Sequence, residues 1–368
     1  MKAKKGFLFV LLGVVAVVNW HCARPLSSPA QGGTLLREGF IDCFEPNTQV
    51  GGKELWCETS AVLFDGKNVL FANDKNMPEP ASAVFFWASR EAFADSTQKP
   101  TYLQNDLLRN AQKYEDFAIS PDHKHAFLST GFDRIKADKN EWDGFNTLVY
   151  WNITNDLKDI HPKAAHLQAG EVFSVGLRQK LSQLLGSEKF PAGAPYFKIE
   201  GLAATETQLL FGVREEGRTF SDFEYKVKIV GVSYAFVQDS LTIQADFRVL
   251  ANYDVAALQP NLPKPLAISS IEFDPARNLF WVLTSYENND QVGAYLWWAT
   301  PNDLQTGKLN LTKNRATGQP LAFTHKAEDI TILDDKRLLI IHDDDRVQTK
   351  VGTKTRQPNQ AAYSIVTF

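Results

Sequence analysis

The 368-residue chain is poor in cysteine, with three, and in methionine, with two, and it has no apolar run long enough to cross a bilayer. Three cysteines exclude a disulfide scaffold. No charge of one sign dominates. The 39 lysines and arginines against 43 acids leave a net charge of −4, which offers no electrostatic footprint for nucleic acid. Low-complexity bias is missing, and 44% hydrophobic residues exclude a disordered chain. A Gly-x-Ser-x-Gly elbow, a Walker loop, His-Glu-x-x-His and a dinucleotide fingerprint are all lacking. The commonest serine-hydrolase, nucleotide-binding and zinc-peptidase chemistries therefore have no support.

Residues 1–22 read as an export signal. Lys2, Lys4 and Lys5 precede the twelve-residue apolar run Phe7 to Val18, a length that suits a signal core and falls short of the roughly 20 residues of a membrane span. Cys22 follows, and this layout resembles a bacterial lipoprotein signal in which the cysteine is lipidated. His21 and Asn19 depart from the small and aliphatic residues of that signal, and cleavage after Ala30 is the alternative. Residues 23–33 read as a flexible tether and 34–368 as one domain. Removal of the signal leaves 36 basic against 43 acidic residues. The expected address is the periplasm or the outer membrane as an anchored lipoprotein, with secretion as the alternative; a lipid anchor would be the one membrane contact. In such a compartment Cys43 and Cys57 pair as a disulfide, with two free thiols as the alternative.

Internal repetition carries most of the information. Five segments share an acidic or small polar start, an apolar strand, a tight turn, a second apolar strand and a closing acid. They start near residues 58, 115, 200, 270 and 328, at intervals of 57, 85, 70 and 58. β-Branched and aromatic runs around Asp-Gly, Pro-Asp or Asp-Lys turns make each a hairpin. Further strands follow each pair, as at Ala83–Trp87 and Ala294–Trp298. Four-stranded units at this spacing predict an all-β fold, a β-propeller with five blades, or six as the alternative. The last unit ends after three strands, so residues 34–41 are expected to supply its outer strand and close the ring. A pair of β-sandwiches is the competing architecture. Leu177 to Leu185 breaks the rhythm with leucines on one helical face, read as an insertion between blades or as a lid over the channel. Trp297 and Trp298 alternate faces, one in the core and the other a candidate stacking surface for sugar or a packing residue.

Phe197-Lys-Ile-Glu-Gly-Leu-Ala203, followed by Leu210-Phe-Gly-Val-Arg214, resembles an uncharacterised exported bacterial propeller family that looks related to the esterase-like phytase propellers. The close match spans about 20 residues. It implies an exported propeller and a phytase-like relative. The other repeats depart from it: the fourth has Ser270 in place of glutamate, and the Arg214 position varies.

Glu58, Glu115, Glu200 and Glu328, with Ser270, read as one repeat position near the propeller axis. The second strand returns Asp74, Asp133, Glu215, Glu287 and Asp344 to the same face after 16, 18, 15, 17 and 16 residues. These acids are expected to crowd one mouth of the channel. Crowded carboxylates need an offset, and three are open. One is a hard cation such as Ca²⁺ with oxygen ligands. Another is a raised pKa serving acid–base chemistry. The third is structural pairing with Arg214, Arg134, Arg346 or Lys75. Asp343-Asp344-Asp345 is a further metal candidate. Two functions follow: a monomeric binding propeller that takes a small molecule or protein partner at the acidic mouth, or a metal-dependent hydrolase of phosphoester or lactone type that holds its cation with Glu58, Glu200 and Glu328.

Overall fold

The computed structural model describes residues 32–134, 140–168, 170–288 and 291–368. The signal segment, Cys22 and most of the tether lie outside them. Five small antiparallel sheets form a five-bladed β-propeller. Blade 1 starts from the innermost strand Thr59–Phe64, blade 2 from Tyr114–Ile119, blade 3 from Tyr196–Ala204, blade 4 from Ala267–Asp274 and blade 5 from Ala327–Asp334. Each innermost strand touches that of the next blade, and blade 5 touches blade 1, so the ring closes. Thr34–Asp42 forms the outer strand of blade 5, antiparallel to Gln360–Thr367.

The strands are apolar runs because each blade is covered on both faces. Five hydrophobic clusters fill the five blade interfaces. The two-residue period of a strand sorts side chains between them. In blade 1, Val62, Val69 and Phe71 face blade 5, while Ala61, Leu63, Leu70 and Ala72 face blade 2. Burying one such side chain contributes about 1.5–3 kcal/mol.

The paired glycines of the Ile-Glu-Gly-Leu-Ala and Leu-Phe-Gly-Val-Arg strands have a packing cause. Gly201 and Gly212 lie opposite each other, and a Cβ on Gly201 would stand 3.0 Å from both the Gly212 Cα and the Ile271 Cγ1 of blade 4. The helix Val175–Leu184 forms as its leucine spacing predicts. Leu177, Leu181 and Leu185 join the cluster between blades 2 and 3, so it is an insertion between blades. Trp297 is fully buried and donates its indole N–H to Thr284 Oγ1 at 2.8 Å. Trp298 packs against the cluster between blades 4 and 5. Cys43 and Cys57 are disulfide-bonded. No helix among the described residues is long and apolar enough to cross a membrane.

Candidate functional site

Every innermost strand carries a β-bulge at the same register. The ladder slips between Thr59 and Ala61, Tyr114 and Asp116, Ile199 and Gly201, Ile268 and Ser270, and Ala327 and Asp329. The extra residues are Ser60, Glu115, Glu200, Ser269 and Glu328. A bulge sets two residues against one and re-aims a side chain. Two positions of the sequence alignment are corrected by this register. Glu58 lies two residues before the bulge and Ser270 one after it, so three glutamates share the bulged position rather than four.

Two residues before each of those glutamates stands a lysine: Lys113, Lys198 and Lys326. Lys198 Nζ bonds Glu200 of its own blade and lies 3.3 Å from Glu115 Oε1 of the preceding one. Lys326 Nζ lies 2.9 Å from Glu328, 3.3 Å from Asp345 and 4.0 Å from Glu287 of blade 4. Lys113 Nζ lies 2.6 Å from Asp133 Oδ2 and 3.8 Å from Glu115. Arg214 meets Glu200 at 3.1 Å and donates to the Ile268 carbonyl and the Ser285 hydroxyl. The mouth is thus a network of buried acids and bases rather than an uncompensated acidic ring. The lysines were missed as site residues, although the triplet Lys-x-Glu at 113–115, 198–200 and 326–328 was legible.

Blade 1 inverts the pattern. Glu58 occupies the lysine position, and one carboxylate oxygen each from Glu58, Asp343 and Asp345 lies within 4.8 Å of the others. Lys75 Nζ reaches Glu58 at 2.7 Å and Asp74 at 3.0 Å. Tyr196 donates its hydroxyl to Glu215. Glu287 is the most open of the set, its side chain 42% exposed. Asp344 points elsewhere: it accepts from Lys326 N–H at 2.8 Å and Thr349 Oγ1 at 2.6 Å, with His325 Nδ1 at 2.6 Å.

Burial pushes Glu115 well above the usual carboxylate range, against the pull of Lys198 and Lys113. Burial also lifts Glu328 to about 7, opposed by Lys326. At Glu200 burial acts in the same direction, but Arg214, Lys198 and Lys326 outweigh it and hold that carboxyl at about 2. Neighbouring acids with separated pKa values can hold and release protons at different pH.

A pocket of about 710 Å³ lies away from this network, lined by Thr205–Gln208 of blade 3 and Phe273 and Phe280 of blade 4. The chemistry favours a second pocket, of about 600 Å³, beside the network at blades 2 and 3. Its wall includes Lys113, Asp133, Tyr196, Lys198, Glu215 and Phe220. Phe220 sits at the tip of the blade-3 hairpin, 79% exposed. Beneath the bulges, Asp116 and Asp329 come together at the axis, close enough for each to shift the other's titration. Asp116 Oδ2 accepts the N–H groups of Leu202 at 2.8 Å and Ile271 at 3.4 Å. Asp329 Oδ2 accepts those of Val62 at 2.7 Å and Phe117 at 3.2 Å, and its Oδ1 accepts the Ser270 hydroxyl at 2.9 Å. This pair clasps inner strands of all five blades.

No protein-family model and no curated protein matches the chain. Among solved structures, it is similar to a PQQ-bound aldose sugar dehydrogenase from Streptomyces coelicolor, at 10% identity and a TM-score of 0.34, over 89% of this chain and 98% of that one. It is also similar to the α-L-arabinofuranosidase PaAbf62A from Podospora anserina, at 11% identity and a TM-score of 0.40, over 88% and 95%. A glycosyl hydrolase from Bacteroides ovatus gives 9% identity and a TM-score of 0.40, over 88% and 90%. Such distant likenesses carry nothing about this chain's chemistry.

Proposed function

We propose that the chain is an exported propeller that binds a ligand at the channel mouth, in the 600 Å³ pocket over blades 2 and 3. The observation that carries this reading is the convergence there of Lys113, Asp133, Lys198 and Glu215 on one concave wall, beside buried acids of raised and lowered pKa. A concave site with a few convergent polar groups is where small ligands bind. Its preformed ion pairs supply orientation rather than a nucleophile. Export rests on the basic and apolar N-terminal segment, with Cys22 as the lipid attachment point or with release after cleavage. The Ile-Glu-Gly-Leu-Ala resemblance agrees with that address. Thermal unfolding of the mature chain against a library of small metabolites tests the reading. A ligand at 100 times its Kd is expected to add about 2.7 kcal/mol of stability. Stabilisation that persists in Lys198→Met would refute the assignment to this mouth.

The second reading, a Ca²⁺-dependent hydrolase of phosphoester or lactone type, rests on the oxygen cluster of Glu58, Asp343 and Asp345, which suits a hard cation. Lys75 on Glu58 competes with an ion there. Metal analysis and a phosphatase, phytase and lactonase panel with and without chelator decide it. Tightly held calcium with chelator-sensitive turnover would replace the binding-only view.

A further inference from the structure

The wall of the mouth pocket has a donor–acceptor pattern that selects a ligand class. Asp133 is the key: its side chain is 6% exposed, it lines the pocket, and its Oδ2 is held by Lys113 at 2.6 Å. Its Oδ1 is buried and accepts no hydrogen bond. Glu115 Oε1, also buried, is met by the ammonium groups of Lys198 and Lys113 at 3.3 and 3.8 Å without a formed hydrogen bond. Both oxygens lie against Gly131, where a Cβ would stand 3.1 Å from Glu115 Oε1 and 3.5 Å from Asp133 Oδ1. A buried acceptor without a donor is costly and is satisfied by a ligand that brings one.

Three classes of ligand compete for the pocket. An anion would find Lys113, Arg134, Lys198 and Arg218 on the wall, but it brings no hydrogen to Asp133 Oδ1 and sets its charge against Asp133 and Glu215. A metal cation meets the ammonium groups of Lys113 and Lys198 and is repelled in turn. A neutral molecule with O–H groups satisfies both, donating to Asp133 Oδ1 and accepting from the lysines. The remaining wall carries Arg134 and Arg218 and an aromatic side of Tyr196, Phe220 and Phe223, in which Phe223 lies 5.8 Å from Tyr196 and Phe220 is exposed. Aromatic faces receive the C–H face of a ring and leave its hydroxyls to the polar wall. Resting on the reading of the mouth as a ligand site, we infer that its ligand is a neutral polyhydroxylated ring, a sugar residue, with Asp133 as the acceptor that fixes its orientation.

The test is titration calorimetry of the mature chain with three sets of probes: neutral hexoses and disaccharides, the anions glucuronate and inorganic phosphate, and Ca²⁺. Neutral sugars are expected to bind. Asp133→Asn turns its amide oxygen to Lys113 and presents N–H to the pocket, swapping acceptor for donor, and is expected to weaken binding about tenfold. Phe220→Ala, exposed and remote from the buried network, is expected to weaken it about fivefold without changing the melting temperature. Gly131→Ala, whose backbone tolerates a side chain, serves where Asp133→Asn perturbs folding; it crowds the two oxygens and is also expected to weaken binding. Sugar binding unchanged in all three variants overturns the inference. Binding of an anion or Ca²⁺ alone, lost in Lys198→Met, overturns the sugar while keeping the mouth as a site. Silence of every probe on folded protein overturns both.

Discussion

The sharpest expectation concerns the two aspartates on the axis. Asp116 and Asp329 are two buried carboxyls side by side, an arrangement in which like charges cannot both ionise cheaply and one proton is retained. Burial, with the Asp329 charge alongside, drives Asp116 well above the usual range. Burial lifts Asp329 to about 6, while the hydrogens donated by Asp116, Val62, Phe117 and Ser270 hold it down. Asp116 is therefore the protonated partner, and its Oδ1 receives no other hydrogen. The unfolded chain releases this proton near the free aspartate pKa of about 3.9, whereas the folded chain keeps it. A raised folded pKa gives stability that is full below about pH 4 and declines as pH rises toward that folded value. The slope is about 1.4 kcal/mol per pH unit, which reaches about 4 kcal/mol by pH 7 if the proton is still held.

Asp116→Asn carries its hydrogen permanently. The amide N–H₂ donates to Asp329 and the amide oxygen keeps the N–H groups of Leu202 and Ile271. Near pH 4 the variant is expected to match the parent within about 1 kcal/mol, and near pH 7 to exceed it by up to about 4 kcal/mol. Asp329→Asn lacks this escape. One half of its amide would turn an N–H toward donors, costing about 1–3 kcal/mol at every pH. Urea unfolding of the parent and both variants from about pH 4 to pH 8 measures the effect. The difference between parent and variant cancels other buried acids of raised pKa, such as Glu272 and Asp343. Parallel pH curves for parent and Asp116→Asn, or equal losses in the two asparagine variants, would refute the shared proton.

Removing the disulfide as Cys43→Ser with Cys57→Ser frees a loop of sequence separation 14 and is expected to cost about 3 kcal/mol, seen as a lower urea midpoint that reductant reproduces in the parent. Glu200→Gln leaves Lys198 and Arg214 short of a buried counter-charge and is expected to cost about 3–5 kcal/mol. Glu200→Met with Lys198→Met should recover part of that loss in the same melts.

The architecture was legible because burial on both faces writes each blade as paired apolar runs, and the unit recurs often enough for its phase to show. Closure by residues 34–41 followed from a last unit one strand short. The site was legible only in part. A hairpin count assumes one residue opposite one, so the bulges displaced Glu58 and Ser270 from the positions given to them. The lysines escaped notice because an exposed lysine is ordinary, and only the closed ring brings Lys198 against Glu115 of another blade. The Asp116 and Asp329 clasp joins residues 213 apart in the chain, and no local pattern links them.

Ring closure also orders events in time. Thr367 bonds the Thr34 carbonyl across 333 residues, so one strand waits for a partner made more than 300 residues later. Until that partner arrives, blade 5 lacks its outer strand. Contacts this distant in sequence make closure slow. A ring that closes this late leaves its apolar blade faces uncovered for longer, open to chaperones and to proteases.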